Sequence, residues 1–184
     1  MKKNSLLLLP LLAILALSCK KEQTPAPLKI GDFHQGGYVF YLDSTSEHGM
    51  VMAPPETEQS LQWGCYGILM DFGNPNITAE FGWGEYCTSR MVIKCNEPYA
   101  AGRYCYNLES GGFKDWFMPN LREWLVAYNN AGTVVGLNLK PNISYWVAYE
   151  ADANRGTSLN SSNLSIGHFE IKTNLNLVRA VRKF

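Results

Sequence analysis

Charge is scarce in this chain: Asp, Glu, Lys and Arg make up 17% of its 184 residues, below the quarter usual for soluble domains. What charge there is cancels, with 16 basic against 16 acidic residues. Such a balance supplies neither a nucleic-acid footprint nor long-range steering of a charged partner. Apolar runs are short too, and none reaches the about 20 residues that a hydrocarbon-spanning helix needs. The three histidines, His34, His48 and His168, stand far apart and form no H-x-x-x-H pattern. There is no G-x-S-x-G elbow and no phosphate-cradling Gly-Lys loop. An enzyme is therefore not expected, no cofactor is implied, and no metal ligand is assigned. Aromatic residues, by contrast, are plentiful. With 5 Trp, 10 Tyr and 8 Phe in a chain that is 46% hydrophobic, the composition describes one packed globular body rather than a disordered segment.

The N-terminus sets the address. Lys2 and Lys3 precede an apolar run from Leu6 to Leu17, broken only by Pro10, and small Ser18 stands before Cys19. That order is an export signal. Leu15-Ala16-Leu17-Ser18-Cys19 resembles the lipobox of bacterial lipoproteins, with Ala16 where that motif most often has Leu. The resemblance implies a lipoprotein signal peptide over residues 1–18 and a diacylglyceryl group on Cys19. Ala16 and Ser18 also satisfy the small-x-small rule of ordinary signal cleavage, which would release a soluble product. Residues 19–28 are polar and proline-bearing and are expected to form a lipidated tether. A single domain then spans residues 29–184. The expected location is the cell envelope, with the chain anchored by its lipid to the outer membrane, on its periplasmic or its surface side.

Four cysteines remain after Cys19: Cys65, Cys87, Cys95 and Cys105. An even number in an exported chain reads as two disulfides, each worth about 2–4 kcal/mol. Three pairings exist; short loops favour 65 with 87 and 95 with 105. A zinc site is the competing reading, but no C-x-x-C knuckle is present.

In the body, residues 38–42 and 50–53 flank a Ser/Thr/Gly turn and predict a hairpin over 37–53. Residues 56–86 are glycine-rich without a period and predict an ordered loop. Thr88 or Ser89 is expected to cap a short helix ending at Lys94, and Pro98 to open another through Leu108, stopped by Gly111-Gly112. Asn120 with Glu123 forms a capping box ahead of Leu121, Trp124, Leu125 and Tyr128, whose spacing makes one apolar helical stripe. Strands are expected at residues 145–149, 165–172 and 177–181, with a turn over 151–156. The fold class is therefore α+β, without the βαβ alternation of a parallel sheet.

Gly36-Gly37-Tyr-Val-Phe-Tyr-Leu42, Ala100-Ala101 before Cys105, Gly112-Phe-Lys-Asp115-Trp116-Phe-Met-Pro119-Asn120 with Glu123, Tyr145-Trp146, and Val178-Arg179-Ala-Val181-Arg182 occur in that order. Together they resemble the bacterial family of unknown function called the Lcl C-terminal domain, over about residues 29–184. Met118, Asn120 and Trp124 replace the Leu, Ser or Thr, and Leu of its D-W-x-L-P-[ST]-x-x-E-L block. The family is similar to C-type lectin-like domains and, more distantly, to formylglycine-generating enzymes. It implies an irregular antiparallel sheet with two or three flanking helices, in which the first and last strands pair. The calcium-dependent sugar motifs of lectins are absent, so no calcium ligand is carried over.

Two functions fit these observations. One is a tethered, non-catalytic binding module, adhesive or glycan-recognising, with Trp63, Tyr66, Trp83 and Tyr86 as candidate contacts for a glycan or surface protein. The other is an exported enzyme of the formylglycine-generating kind, for which Cys87 or Cys95 would be nominated. Asp115 is expected to pair with Arg179 or Arg182 rather than to react.

Overall fold

The computed structural model describes residues 26–74, 78–131, 136–160 and 168–184. The expected signal peptide, Cys19 and the first part of the tether lie outside the described residues. So do residues 165–167 of one expected strand.

The fold is α+β. Among the described residues, the strands are β1 (Phe33–His34), β2 (Gly37–Leu42), β3 (Gly49–Met52), β4 (Gln59–Gln62), β5 (Ser144–Glu150), β6 (Arg155–Asn160), β7 (His168–Ile171), β8 (Leu175–Val178) and β9 (Val181–Lys183). Among the described residues, the α-helices between β4 and β5 with full bounds are α1 (Gly84–Lys94), α2 (Ala101–Tyr106) and α3 (Leu121–Ala131). None of the described helices is long and apolar enough to cross a membrane.

The strands make two sheets rather than one. The order is β1-β2-β3-β9 in the first and β4-β8-β5-β6-β7 in the second. All pairs are antiparallel except β5 with β8, where Tyr145 faces Leu177 in parallel register. The hairpin expected over 37–53 is present as β2 and β3. The last strand lies in the same sheet as the first but pairs with β3 instead of with β1 or β2, which corrects the pairing that the resemblance implied.

Apolar runs in β2, β3 and β5 follow from burial on both faces. Alternate residues point to opposite sides of a strand. Val39, Val51, Trp146 and Ala148 enter one cluster, which also holds Trp63, Met91 and Trp116. Phe40, Met50, Met52, Tyr145 and Val147 enter a second cluster, with Trp124 of α3.

The capping box of α3 is present. Glu123 N donates to Asn120 Oδ1 at 3.0 Å, and Asn120 N donates to Glu123 Oε2 at 2.8 Å. The cap expected at Thr88 or Ser89 is not. Helix α1 starts earlier, at Gly84, and Thr88 sits inside it, where its hydroxyl binds Gly84 O and both backbone groups of Met118. Helix α2 is also shorter than expected, beginning at Ala101 and ending at Tyr106. The single strand expected over 177–181 is two strands, β8 and β9, in different sheets. Its residues Val178, Arg179, Ala180 and Val181 are all fully buried, because the chain crosses between the sheets there.

Candidate functional site

An open groove of about 370 Å³ runs along the start of α1, lined by Gly82, Trp83, Glu85, Tyr86, Ser89 and Lys183. Trp83 immediately precedes the helix and Tyr86 follows three residues on, a spacing that puts both on one face. Their rings meet edge to face with centroids 5.6 Å apart. Trp83 is 39% exposed and Tyr86 42%, so each offers part of a ring to solvent. Opposite them, Lys183 reaches across from β9. Its ammonium pairs with Glu85 Oε2 at 3.1 Å, donates to Gly82 O at 3.1 Å and lies 5.7 Å from the Phe117 ring. Ser89 Oγ donates to Glu85 O at 3.0 Å. Two partly exposed aromatic rings therefore stand beside a carboxylate, an ammonium and a hydroxyl.

The other two candidate aromatics lie elsewhere. Trp63 is 1% exposed, and its indole N–H donates to Val147 O at 3.0 Å. It is a core residue, since Gly156 packs so closely that a β-carbon there would meet the indole. Tyr66 is exposed but does not line the groove, and sits in the turn closed by Ile68 N donating to Cys65 O. The residues that sequence reasoning missed are Glu85, Ser89 and Lys183. Ser89 lies four residues after Glu85 and three after Tyr86, so it neighbours both on the helix surface, and this was legible once α1 is begun at Gly84. Lys183 had no local signal, because the pairing of β9 with β3, Lys183 opposite Met50, brings it to Gly82 across 101 residues of chain.

No known protein-family model matches the chain, and no curated protein matches it. The chemistry of the site therefore rests on its own residues.

The cysteines pair differently from expectation. Cys65 and Cys95 form a disulfide with Cα atoms 5.6 Å apart, while Cys87 and Cys105 are free and buried. The pairing of 65 with 87 and 95 with 105 is thus overturned. Cys95 caps the C-terminus of α1 and meets the chain leaving β4, whereas Cys87 lies inside α1 with its thiol toward Thr78 O. Burial, and secondarily the Glu123 carboxylate, push the Cys87 thiol up to about 12. Burial pushes Cys105 up as well. Among the described residues, Cys65, Cys95 and Glu97 alone gather potential metal-ligating atoms. There the two sulfurs are bonded to each other, and Glu97 Oε2 accepts from Cys65 N at 2.9 Å.

Asp115 is paired with Arg182. Nε and Nη2 of the arginine reach the two carboxylate oxygens at 2.7 Å each, and the guanidinium stacks 3.9 Å from the Phe113 ring centre. Hydrogen bonds from Arg182 hold the Asp115 carboxyl below its ordinary range. The pair therefore supports the fold at neutral pH and is lost as pH falls through that lowered value. Trp116 is buried beside it, its indole N–H shared between Ser110 O and Phe113 O. Pro119 O accepts from Ala148 N, which ties the block to β5. Arg179 serves a different acid, Glu58, in the interior.

A second cavity, of about 380 Å³, lies beside Tyr149, Glu150 and Phe169. Its buried acid is already engaged. Glu150 accepts from Met70 N and pairs with the fully buried Lys172, which also donates to Ile68 O.

Proposed function

We propose that the chain is an exported lipoprotein of the cell envelope, held to a membrane by lipid on Cys19. In this reading its single domain is C-type lectin-like and binds a glycan, without catalysis, in the Trp83–Tyr86 groove. The groove itself is the observation that carries the reading. Indole and phenol rings are rigid, amphipathic surfaces that accept the C–H faces of a pyranose, and the neighbouring polar groups can bond its hydroxyls. A volume of about 370 Å³ suits one or two sugar units in a concave site.

Other features support the remainder. The first and last described strands, β1 and β9, share one sheet without being neighbours in it, and helices occupy the middle of the chain, an arrangement that supports a lectin-like body. A thiol chemistry of the formylglycine-generating kind needs a reactive thiolate. Cys95 is spent in a disulfide and Cys87 is held protonated by burial, so a binding role is favoured over that alternative.

Two measurements test the proposal. On a glycan array, the wild-type chain should bind saturably, and Trp83→Ala should lose at least about tenfold in affinity with stability changed by no more than about 0.5 kcal/mol. Absence of any bound glycan, or binding indifferent to Trp83, would overturn the groove assignment. For the tether, a clickable fatty acid fed to expressing cells should label the mature chain and fail to label Cys19→Ser. An unlabelled wild-type chain would remove the membrane anchor.

A further inference from the structure

We propose that Glu123 is the positioning residue of the groove, a buried carboxylate that clamps the backbone on both sides of Trp83 while capping its own helix. The inference rests on the binding role given to the groove above. Glu123 is fully buried. Its Oε2 takes Asn120 N, completing the cap of α3, and its Oε1 accepts from Gly82 N and from Gly84 N at 3.1 Å each. Those two amides belong to the residues on either side of Trp83.

Helix α1 needs such a partner. Its first N–H groups lack intrahelical acceptors, and Trp83 at the cap position provides no side-chain hydrogen bond. Glu123 supplies the missing acceptor from another helix, so one carboxylate, its pKa raised by burial and held back by these backbone N–H donors, serves the N-termini of two helices. The approach is close enough to demand glycine at position 84, where a β-carbon would stand 2.1 Å from Glu123 Oε2. Gly82, at φ +96°, turns the chain in a conformation that side chains rarely adopt. Asn120 extends the clamp, its amide N–H₂ donating to Thr78 O and Glu80 O. The Trp83 backbone is thereby fixed from below, and the indole keeps its place in the groove before any ligand arrives. Preorganisation of this kind spares a ligand the cost of ordering the loop.

The chain carries its own reporter. Trp63, Trp116, Trp124 and Trp146 are at most 1% exposed, so iodide quenches Trp83 selectively. Amide exchange by ¹⁵N NMR and iodide quenching, on the full chain with Glu123→Ala and Glu123→Gln, test the clamp. In Glu123→Ala the Gly82 and Gly84 amides should exchange at least about tenfold faster, with a changed quenching constant for Trp83. The Gln variant separates positioning from capping. Its amide oxygen can accept from both glycines and restore their protection and the quenching, while its N–H₂ faces Asn120 N and leaves that amide fast. Wild-type exchange of Gly82 and Gly84 in the Ala variant overturns the proposal. Exchange of Gly82, Gly84 and Asn120 in step across both variants does so too, because it marks a capping role alone. Should the Ala variant not fold, the contrast within Glu123→Gln decides by itself. These readouts need no sugar, so a blank glycan array would defeat the binding role and leave the clamp standing.

Discussion

Replacing Arg179 by methionine is expected to destabilise the domain by about 3–5 kcal/mol, the range for stranding one partner of a buried ion pair. The guanidinium is fully buried where the chain passes from β8 to β9. Nε donates to Ala53 O at 2.6 Å, Nη2 to Gly136 O at 3.3 Å, and Nη1 to Leu137 O, with Glu58 Oε1 at 3.5 Å from Nη1. Burial pulls the guanidinium pKa down, and Glu58 opposes the shift. The Glu58 side chain is itself buried; its Oε1 accepts from Tyr145 OH at 3.0 Å, and its Oε2 lies 3.0 Å from Lys140 Nζ as an ion pair. Methionine fills much of the volume but leaves three carbonyls without this donor and removes the buried one of the two cations that balance the acid. For a domain of this size the loss corresponds to a fall of about 6–20 °C in Tm, read by calorimetry or by denaturant titration. Adding Glu58→Gln should recover part of it, since the stranded charge is then gone. A single variant that melts within about 1 °C of the wild type would show that the arginine is dispensable.

Loss of the disulfide is the second large effect. Cys65 and Cys95 are 30 residues apart, and closing a loop of that length stabilises the folded state by about 3–4 kcal/mol in the chain-entropy account. The bond also holds a strained turn. Cys65 itself has φ 50°, and a β-carbon on the preceding Gly64 would come 2.4 Å from Ala100 Cβ. Cys65→Ser with Cys95→Ser should lower unfolding free energy by that amount. Alkylation of unfolded, unreduced protein should modify Cys87 and Cys105 and spare Cys65 and Cys95. The folded protein should resist labelling at Cys87 and Cys105, because both thiols are buried and protonated. Alkylation at Cys65, or protection of Cys87 in the unfolded chain, would contradict the pairing.

Local signals survived into the structure where they were redundant. The hairpin of β2 and β3 had aromatic and β-branched runs on either side of a turn, and α3 had both a capping box and an apolar stripe. Elements defined by their neighbours were not legible. Gln59-Ser-Leu-Gln62 carries little strand propensity and becomes β4 only by pairing with β8. Arg155–Asn160, whose first two residues fall in the turn expected over 151–156, is the well-buried β6 because β5 and β7 flank it. The disulfide failed for a related reason. Loop length favours near cysteines, but the thiol of Cys87 is committed to the interior by the helix that carries it, whereas Cys95 stands at that helix's end. Of four candidate aromatics, Trp83 and Tyr86 line the groove. Composition does not distinguish a tryptophan that fills the core from one at its rim, and Trp63 is the former.

The final ten residues have a consequence for biosynthesis. Strand β8 is inserted between β4 and β5, and β9 finishes the other sheet, where Gly49 and Phe184 exchange backbone hydrogen bonds. A nascent chain halted before Leu175 can complete neither sheet. Tertiary closure must await residues 175–184, so the growing chain stays unset until synthesis has passed them.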